Sequence, residues 1–337
     1  MICTRARKHG FVHDDCSINL KAVSAFLSLL VLHGCADLDL GGYAGQGMLL
    51  DSDTTLTLVQ EIGSGVTLRM RGSDFGIAAA RTYALGYAAA VAARGNYVYV
   101  VDQFSAELVQ INLALGEARV LTTLPDPTTH GVYVTQDLIV YVVDKSARAV
   151  RQLNDAGQTT RLFTNPALIP APVDVAETDW GDAIVVADAL HNQLVMFNTL
   201  VGAFEVIGAN ASRLSLAQVV QAIAATRNSV YILDPQLGEV IRFDLHGNPI
   251  GSYGEDELQM PTALAVDRCG RLFVADQSGQ GILVSLSDMM RPAARAQHNA
   301  IILDQITDLW VDEGFLYVAA GAQGIKIFRI EPSCPAL

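Results

Sequence analysis

Six times along this 337-residue chain, a short run of β-branched and aromatic residues closes at the same position of a repeat. The runs are YVYVVD to Asp102, IVYVVD to Asp144, IVVAD to Asp188, VYILD to Asp234 and LFVAD to Asp276. A last copy, FLYVAA, carries Ala320 where the acid would stand. Successive copies lie 42, 44, 46, 42 and 44 residues apart. A period of that length with strand chemistry is the period of a propeller blade. Each period also shows the same order of segments. An inner strand (PTALAVD, 261–267) meets a Gly turn at 268–270, and a second strand runs to the Asp. A polar turn then leads to a third strand such as GILVSL, 281–286, and a weaker fourth follows, as in PIGSYG, 249–254. Continuous apolar character in the inner strands fits burial on both faces, which a lone sheet cannot supply. The expected fold is therefore all-β: a six-bladed β-propeller of four-stranded antiparallel blades over residues 54–337.

The last repeat stops at Glu331-Pro332 after three strands, near 306–330. Two alternating segments precede the first repeat, TLTLVQEI at 55–62 and GVTLRMR at 65–71. One of them is expected to supply the missing outer strand of blade six, as an N-terminal clasp that removes an exposed edge.

The stretch EVIRFDLHGNPIGSYGEDELQMPTALAVDRCGRLFVAD, 239–276, resembles NHL repeats, and weaker copies cover roughly 86–330. The resemblance implies an NHL-like propeller and leaves the activity open, because one such fold hosts many functions.

The first 34 residues read as an address. Arg5, Arg7, Lys8 and Lys21 precede an apolar run of eleven residues, Ala22 to Leu32. That run is too short to span a bilayer and suits a signal-peptide core. It ends in Leu32-His33-Gly34-Cys35, which resembles the lipobox of bacterial lipoproteins, with His33 in place of the usual small residue. The resemblance implies lipid on Cys35, loss of residues 1–34 as a signal peptide, and anchorage in the bilayer of a bacterial cell envelope. Ala36 after the cysteine favours the outer membrane, facing the periplasm. Residues 35–53 read as the lipid anchor and a flexible tether. Cleavage would leave 18 basic and 33 acidic residues, a net charge of −15, so nucleic acid is excluded as a partner by repulsion.

Candidate chemistry is sparse. Asp102, Asp144, Asp188, Asp234 and Asp276 are expected to be structural, each accepting backbone N–H groups of the turn that follows. Counting back from them places the channel mouth at Ala88, His130, Val173, Val220, Thr262 and Thr307, then Ala89, Gly131, Asp174, Gln221, Ala263 and Asp308. The polar members His130, Asp174, Gln221, Thr262, Thr307 and Asp308 form the candidate ligand site. They could hold a cation or act as acid and base, against the plainer reading of a hydrated channel.

That ring also bears on two propeller enzyme classes. The zinc of peptidyl-amidoglycolate lyases needs a His at three such positions, and only His130 is present, so no metal and no cofactor is expected. The Glu-Gly-Pro lead-in of gluconolactonase-like propellers is absent from the sequence. His191 and His246 fall in turns, His298 in an outer strand, and Trp180 and Trp310 read as packing residues. Cys269 and Cys334 are the cysteines left after processing, and either a disulfide or two free thiols is open to them.

The function expected from this is a non-catalytic envelope scaffold that binds a protein, a peptide or a glycan. The alternatives are a lyase or lactonase-like hydrolase at the channel mouth, and an accessory factor in envelope polysaccharide handling or protein assembly.

Overall fold

The structure, a computed structural model, describes residues 7–8, 11–12, 54–63, 67–70, 82–126, 131–178, 182–207, 220–254, 258–277, 281–286, 294–295, 297–298, 303 and 305–334. Two compact units divide the chain, residues 1–48 and 49–337. In the first, β1 (Arg7–Lys8) pairs antiparallel with β2 (Phe11–Val12). The apolar run, the lipobox with Cys35, and the tether lie outside the described residues. No helix among the described residues is long and apolar enough to cross a membrane.

The second unit opens with β3 (Thr55–Ile62), β4 (Thr67–Met70) and β5 (Thr82–Ala84). Antiparallel meanders then follow one another. The first is β6 (Ala88–Arg94), β7 (Tyr97–Asp102), β8 (Glu107–Asn112) and β9 (Glu117–Thr123). The second is β10 (Val132–Val134), β11 (Val140–Asp144), β12 (Ala149–Leu153) and β13 (Thr159–Thr164). The third is β14 (Pro172–Glu177), β15 (Ala183–Asp188), β16 (Gln193–Asn198) and β17 (Phe204–Ile207). The fourth is β18 (Ala222–Ala225), β19 (Ser229–Asp234), β20 (Glu239–Asp244) and β21 (Pro249–Tyr253). The fifth is β22 (Pro261–Val266), β23 (Arg271–Asp276), β24 (Gly281–Leu286) and β25 (Ala294–Arg295). Next come β26 (Gln297–His298) and the three strands β27 (Asp308–Asp312), β28 (Phe315–Ala319) and β29 (Ile325–Glu331).

The expectation of six blades is corrected to five complete four-stranded ones, while the last repeat contributes three strands, the number read from its sequence. Its outer strand β29 pairs antiparallel with β3, from Ile325↔Ile62 to Glu331↔Thr55. The neighbouring segment β4 lies parallel to β9 on the outer edge of the first meander, with β5 beyond it.

Alternation along the second strands explains why the blades stack. In β11, Val140 and Val142 pack with Tyr99 and Val101 of the preceding blade. The intervening Tyr141 and Val143 pack with Ile184 and Val186 of the next. Val185 and Ala187 of β15 likewise turn toward Val230 and Ile232. With a side-chain period of two, such a strand must bury both faces, and each fully buried Val stabilises by about 1.5–3 kcal/mol. The inner strands touch in the order β6, β10, β14, β18, β22, β27, and β27 returns to β6, which defines a central channel.

Candidate functional site at the channel mouth

Strand pairing fixes the register that counting from the Asp only approximates. Asp174 pairs with Ala187, Ala263 with Ala275, Ala90 with Val101, Ala222 with Leu233, and Asp308 with Ala319. In each pair the partner directly precedes the turn Asp or, in the last repeat, Ala320. Gly131 joins this level through the Val143 N–H, which it accepts at 3.0 Å. The carboxylate level is therefore Ala90, Gly131, Asp174, Ala222, Ala263 and Asp308. The level above it is Ala89, Val173, Gln221, Thr262 and Thr307 among the described residues. Gln221 moves out of the Asp174 level, and Ala88 and Val220 move back by one position. The pairing jumps between Ala88 and Ala90, Pro172 and Asp174, and Pro261 and Ala263, and the extra residue shifts the count.

Asp174 and Asp308 make equivalent contacts. Asp174 accepts the N–H of Val175 on its own strand and of Ile223 on the next blade, each at 2.8 Å. Asp308 accepts the N–H of Leu309 at 2.8 Å and of Val91 on the first blade at 2.9 Å. Burial raises Asp174 from 3.8 to about 7, although its two backbone donors oppose the change. Burial also holds Asp308 well above the usual carboxylate range, and the charge of Asp174 adds to it. The two threonines join blades through backbone oxygens as well. Thr262 Oγ1 donates to the Ile306 carbonyl at 2.9 Å, and Thr307 Oγ1 to that of Ala88 at 2.8 Å. Gly131 lets the second inner strand lie against the third, because a Cβ there would come within 2.7 Å of Asp174 Cα.

Two residues further along, Trp310 of the last repeat meets Tyr133 of the second blade edge-on, with centroids 5.0 Å apart. The first blade lies between these two repeats, so the rings meet across the channel. Trp310 Nε1 also donates to the Ala93 carbonyl at 2.7 Å. The sequence reading of Trp310 as a packing residue missed this reach across the axis. His130 and Trp180 lie outside the described residues, as does the side chain of His298. His191 and His246 lie in separate hairpin turns, where their N–H groups donate to Asp188 and Asp244.

The turn acids do more than hold the turn that follows. Asp102 accepts Phe104 N–H from that turn at 3.0 Å. It also accepts Gly86 and Tyr87 N–H from the segment entering its blade, at 2.9 and 3.0 Å, and the Tyr83 hydroxyl at 2.7 Å. Asp188 divides its oxygens the same way, between His191 N–H at 2.8 Å and Ala171 N–H at 2.6 Å. Asp144 and Asp234 accept from Ala147 and from Gln236 and Leu237, while Asp276 accepts from the incoming Gln259 and Met260. Each Asp for which both contacts are seen ties the inner-strand lead-in to the second hairpin on one face of the propeller.

That face is also where large apolar side chains emerge. Phe104 and Leu190 sit in the hairpins after Asp102 and Asp188, 76% and 68% exposed. Leu237 in the equivalent hairpin is 50% exposed, and Met260, beside Asp276, is 56% exposed. The sequence reading passed over them because each is a lone hydrophobe in a polar turn. Only the shared hairpin after the repeated Asp could have linked Phe104, Leu190 and Leu237, whereas Met260 lies in the segment that enters its blade.

Residues 85–109 and 305–337 match the LVIVD repeat family. The chain carries LVIVD repeats. No curated protein matches the sequence. Among solved structures, a Bacteroides thetaiotaomicron VPI-5482 protein of unknown function aligns with TM-score 0.59 at 16% identity, over 82% of this chain and 76% of that one. Virginiamycin B lyase from Staphylococcus aureus aligns with TM-score 0.56 at 11% identity, over 82% and 99%. A nidogen/laminin complex contributes a chain with TM-score 0.52 at 14% identity, over 64% and 82%. At these identities the likeness is one of propeller fold.

Proposed function

We propose that this chain is a non-catalytic propeller scaffold of the bacterial cell envelope that binds a protein or peptide on the face bearing the turn acids. The observation that carries the reading is the placement of Phe104, Leu190, Leu237 and Met260 at corresponding ends of four blades around one face. Exposed apolar groups gathered on one face favour association, whereas scattered ones do not. Among the described residues, the opposite face shows Leu115, Leu200 and Val201 in the hairpins of two blades. An acid or base at the channel mouth has less support, because all four oxygens of Asp174 and Asp308 receive backbone N–H groups.

In this reading the chain is a lipoprotein, processed at Cys35 and held on its tether at the outer membrane, facing the periplasm. The propeller is NHL-like, with β27–β29 as a sixth blade and the β3 segment as the clasp that completes it. The experiment is affinity capture from envelope extract with three forms of the 36–337 domain: unchanged, with Phe104, Leu190 and Leu237 replaced by Ser, and with Leu115, Leu200 and Val201 replaced by Ser. The same partner should be lost only with the first triple variant. Its loss with the second variant alone would move the site to the other face.

A further inference from the structure

The C-terminal tail ends on the fifth blade. The turn between β22 and β23 folds around Asp267, whose Oδ1 accepts the N–H of Cys269 at 2.9 Å and of Arg271 at 2.8 Å. Arg271 is 1% exposed, and its Nε donates to Asp267 Oδ2 at 2.6 Å. Its two remaining nitrogens face the tail. Nη1 donates to the Pro332 carbonyl at 2.8 Å, and Nη2 lies 3.4 Å from Cys334 Sγ. Cys269 and Cys334 are joined as a disulfide with Cα atoms 5.9 Å apart, and both residues are half-buried. Asp267 Oδ2 lies 3.5 Å from the same sulfur, so a buried Arg271–Asp267 ion pair touches one end of a bond that solvent can reach.

We propose that this disulfide is a redox-addressable latch on the C-terminus, opened by a dithiol reductant, with Cys334 as the leaving sulfur. One thiolate of the reductant attacks Cys269 Sγ and forms a mixed disulfide. The S–S bond breaks, and its electron pair departs on Cys334 Sγ, where Arg271 Nη2 donates a hydrogen bond to the new thiolate from within its ion pair with Asp267. The second thiol of the reductant, deprotonated, then displaces Cys269, and both protein thiolates take up protons from solvent. The protein disulfide is reduced to two thiols and the dithiol is oxidised to its cyclic disulfide. Beyond the paired end of β29, the opened tail keeps hydrogen bonds from Arg271 to Pro332 and Cys334 but no covalent tie. Reduction therefore loosens the strand that pairs with β3.

The test uses the 36–337 domain and its Cys269→Ser and Cys334→Ser variants, each leaving one thiol. At pH 7, iodoacetamide should modify Cys334 in the first variant about tenfold faster than Cys269 in the second, as a neighbouring guanidinium favours the thiolate. Equal rates, or a faster Cys269, would overturn the assignment. With the unchanged domain, dithiothreitol should speed amide exchange in β29 and β3 and leave β11 and β15 unchanged. Exchange that ignores dithiothreitol would overturn the latch, and so would two freely alkylatable thiols in the untreated protein. Asp267, Cys269 and Cys334 also bring three ligand atoms within 4.8 Å of one another. Stoichiometric Zn2+ uptake by the reduced domain would give the thiols to a metal instead of Arg271, and would likewise overturn the proposal.

Discussion

Asp174 and Asp308 are the two acids of the carboxylate level, and each fastens its own blade to the next through one backbone N–H. Their cost appears with pH. Burial raises Asp174 from 3.8 to about 7, so the folded protein holds that proton more tightly than the unfolded chain does. The contribution to stability is full below about pH 4 and is lost as pH rises through about 7. Asp308 is raised as well and acts in the same direction. Melting temperature should therefore fall between pH 5 and pH 8, and the Asp174→Asn, Asp308→Asn double variant should flatten that slope. An unchanged slope in the variant would show that other groups set it. Gly131 gives a second prediction at this scale. Its added Cβ would meet Val143 Cγ2 at 2.6 Å as well as the Asp174 backbone, so Gly131→Ala should lower stability by about 1–3 kcal/mol in denaturant titration. The residue-level site was only partly legible in the sequence. Asp174 and Asp308 stand out as acids in apolar strands, but their equivalence depends on hairpin length. Twelve residues separate Ala90 from Asp102, and fourteen separate Asp174 from Asp188, so a nearly constant count back from the Asp slips by one.

Among the elements, the second strands were the most legible, because five consecutive buried residues in β11 leave no amphipathic alternative. The segment at 55–62 was harder to place, because its alternating pattern states that one face is covered and not by what. Here Leu56 joins the core beneath the last repeat, Ile62 joins the core of the first, and Lys326 Nζ meets Glu61 Oε1 at 2.6 Å. Deleting residues 54–72 should bare β29 and the outer edge of β9 and cause aggregation or loss of cooperative unfolding. A truncated domain that melts as sharply as the parent would show that the edge needs no cover. Gly324 gives a gentler version of the same test. Its φ is +80°, and a Cβ there would overlap the Ile62 carbonyl oxygen. Gly324→Ala should therefore destabilise the domain and raise amide exchange first in β3.

For the whole molecule, the repeated Asp announces the propeller, because a 42–46-residue period of strand chemistry has few other outcomes. It does not announce a partner, since each repeated acid is occupied in holding loops. The address rests on chemistry outside the described residues and is tested there. Mass spectrometry of the native N-terminus should find a diacylglycerol-modified Cys35, and an unmodified chain starting elsewhere would overturn the anchor.

The pairing of β3 with β29 also sets an order on synthesis. Residues 55–62 leave the ribosome more than 260 residues before their partners at 325–331. Throughout that interval the five meanders can collapse one upon another as they emerge, while β3 lacks β29 and has only the core of the first blade, which Ile62 joins, to pack against. β3 must therefore wait without its antiparallel partner, and β29 can join it only after translation has all but ended. In an exported chain that interval includes passage across a membrane, so a companion that shields a lone β-strand would be needed before the propeller needs any partner of its own.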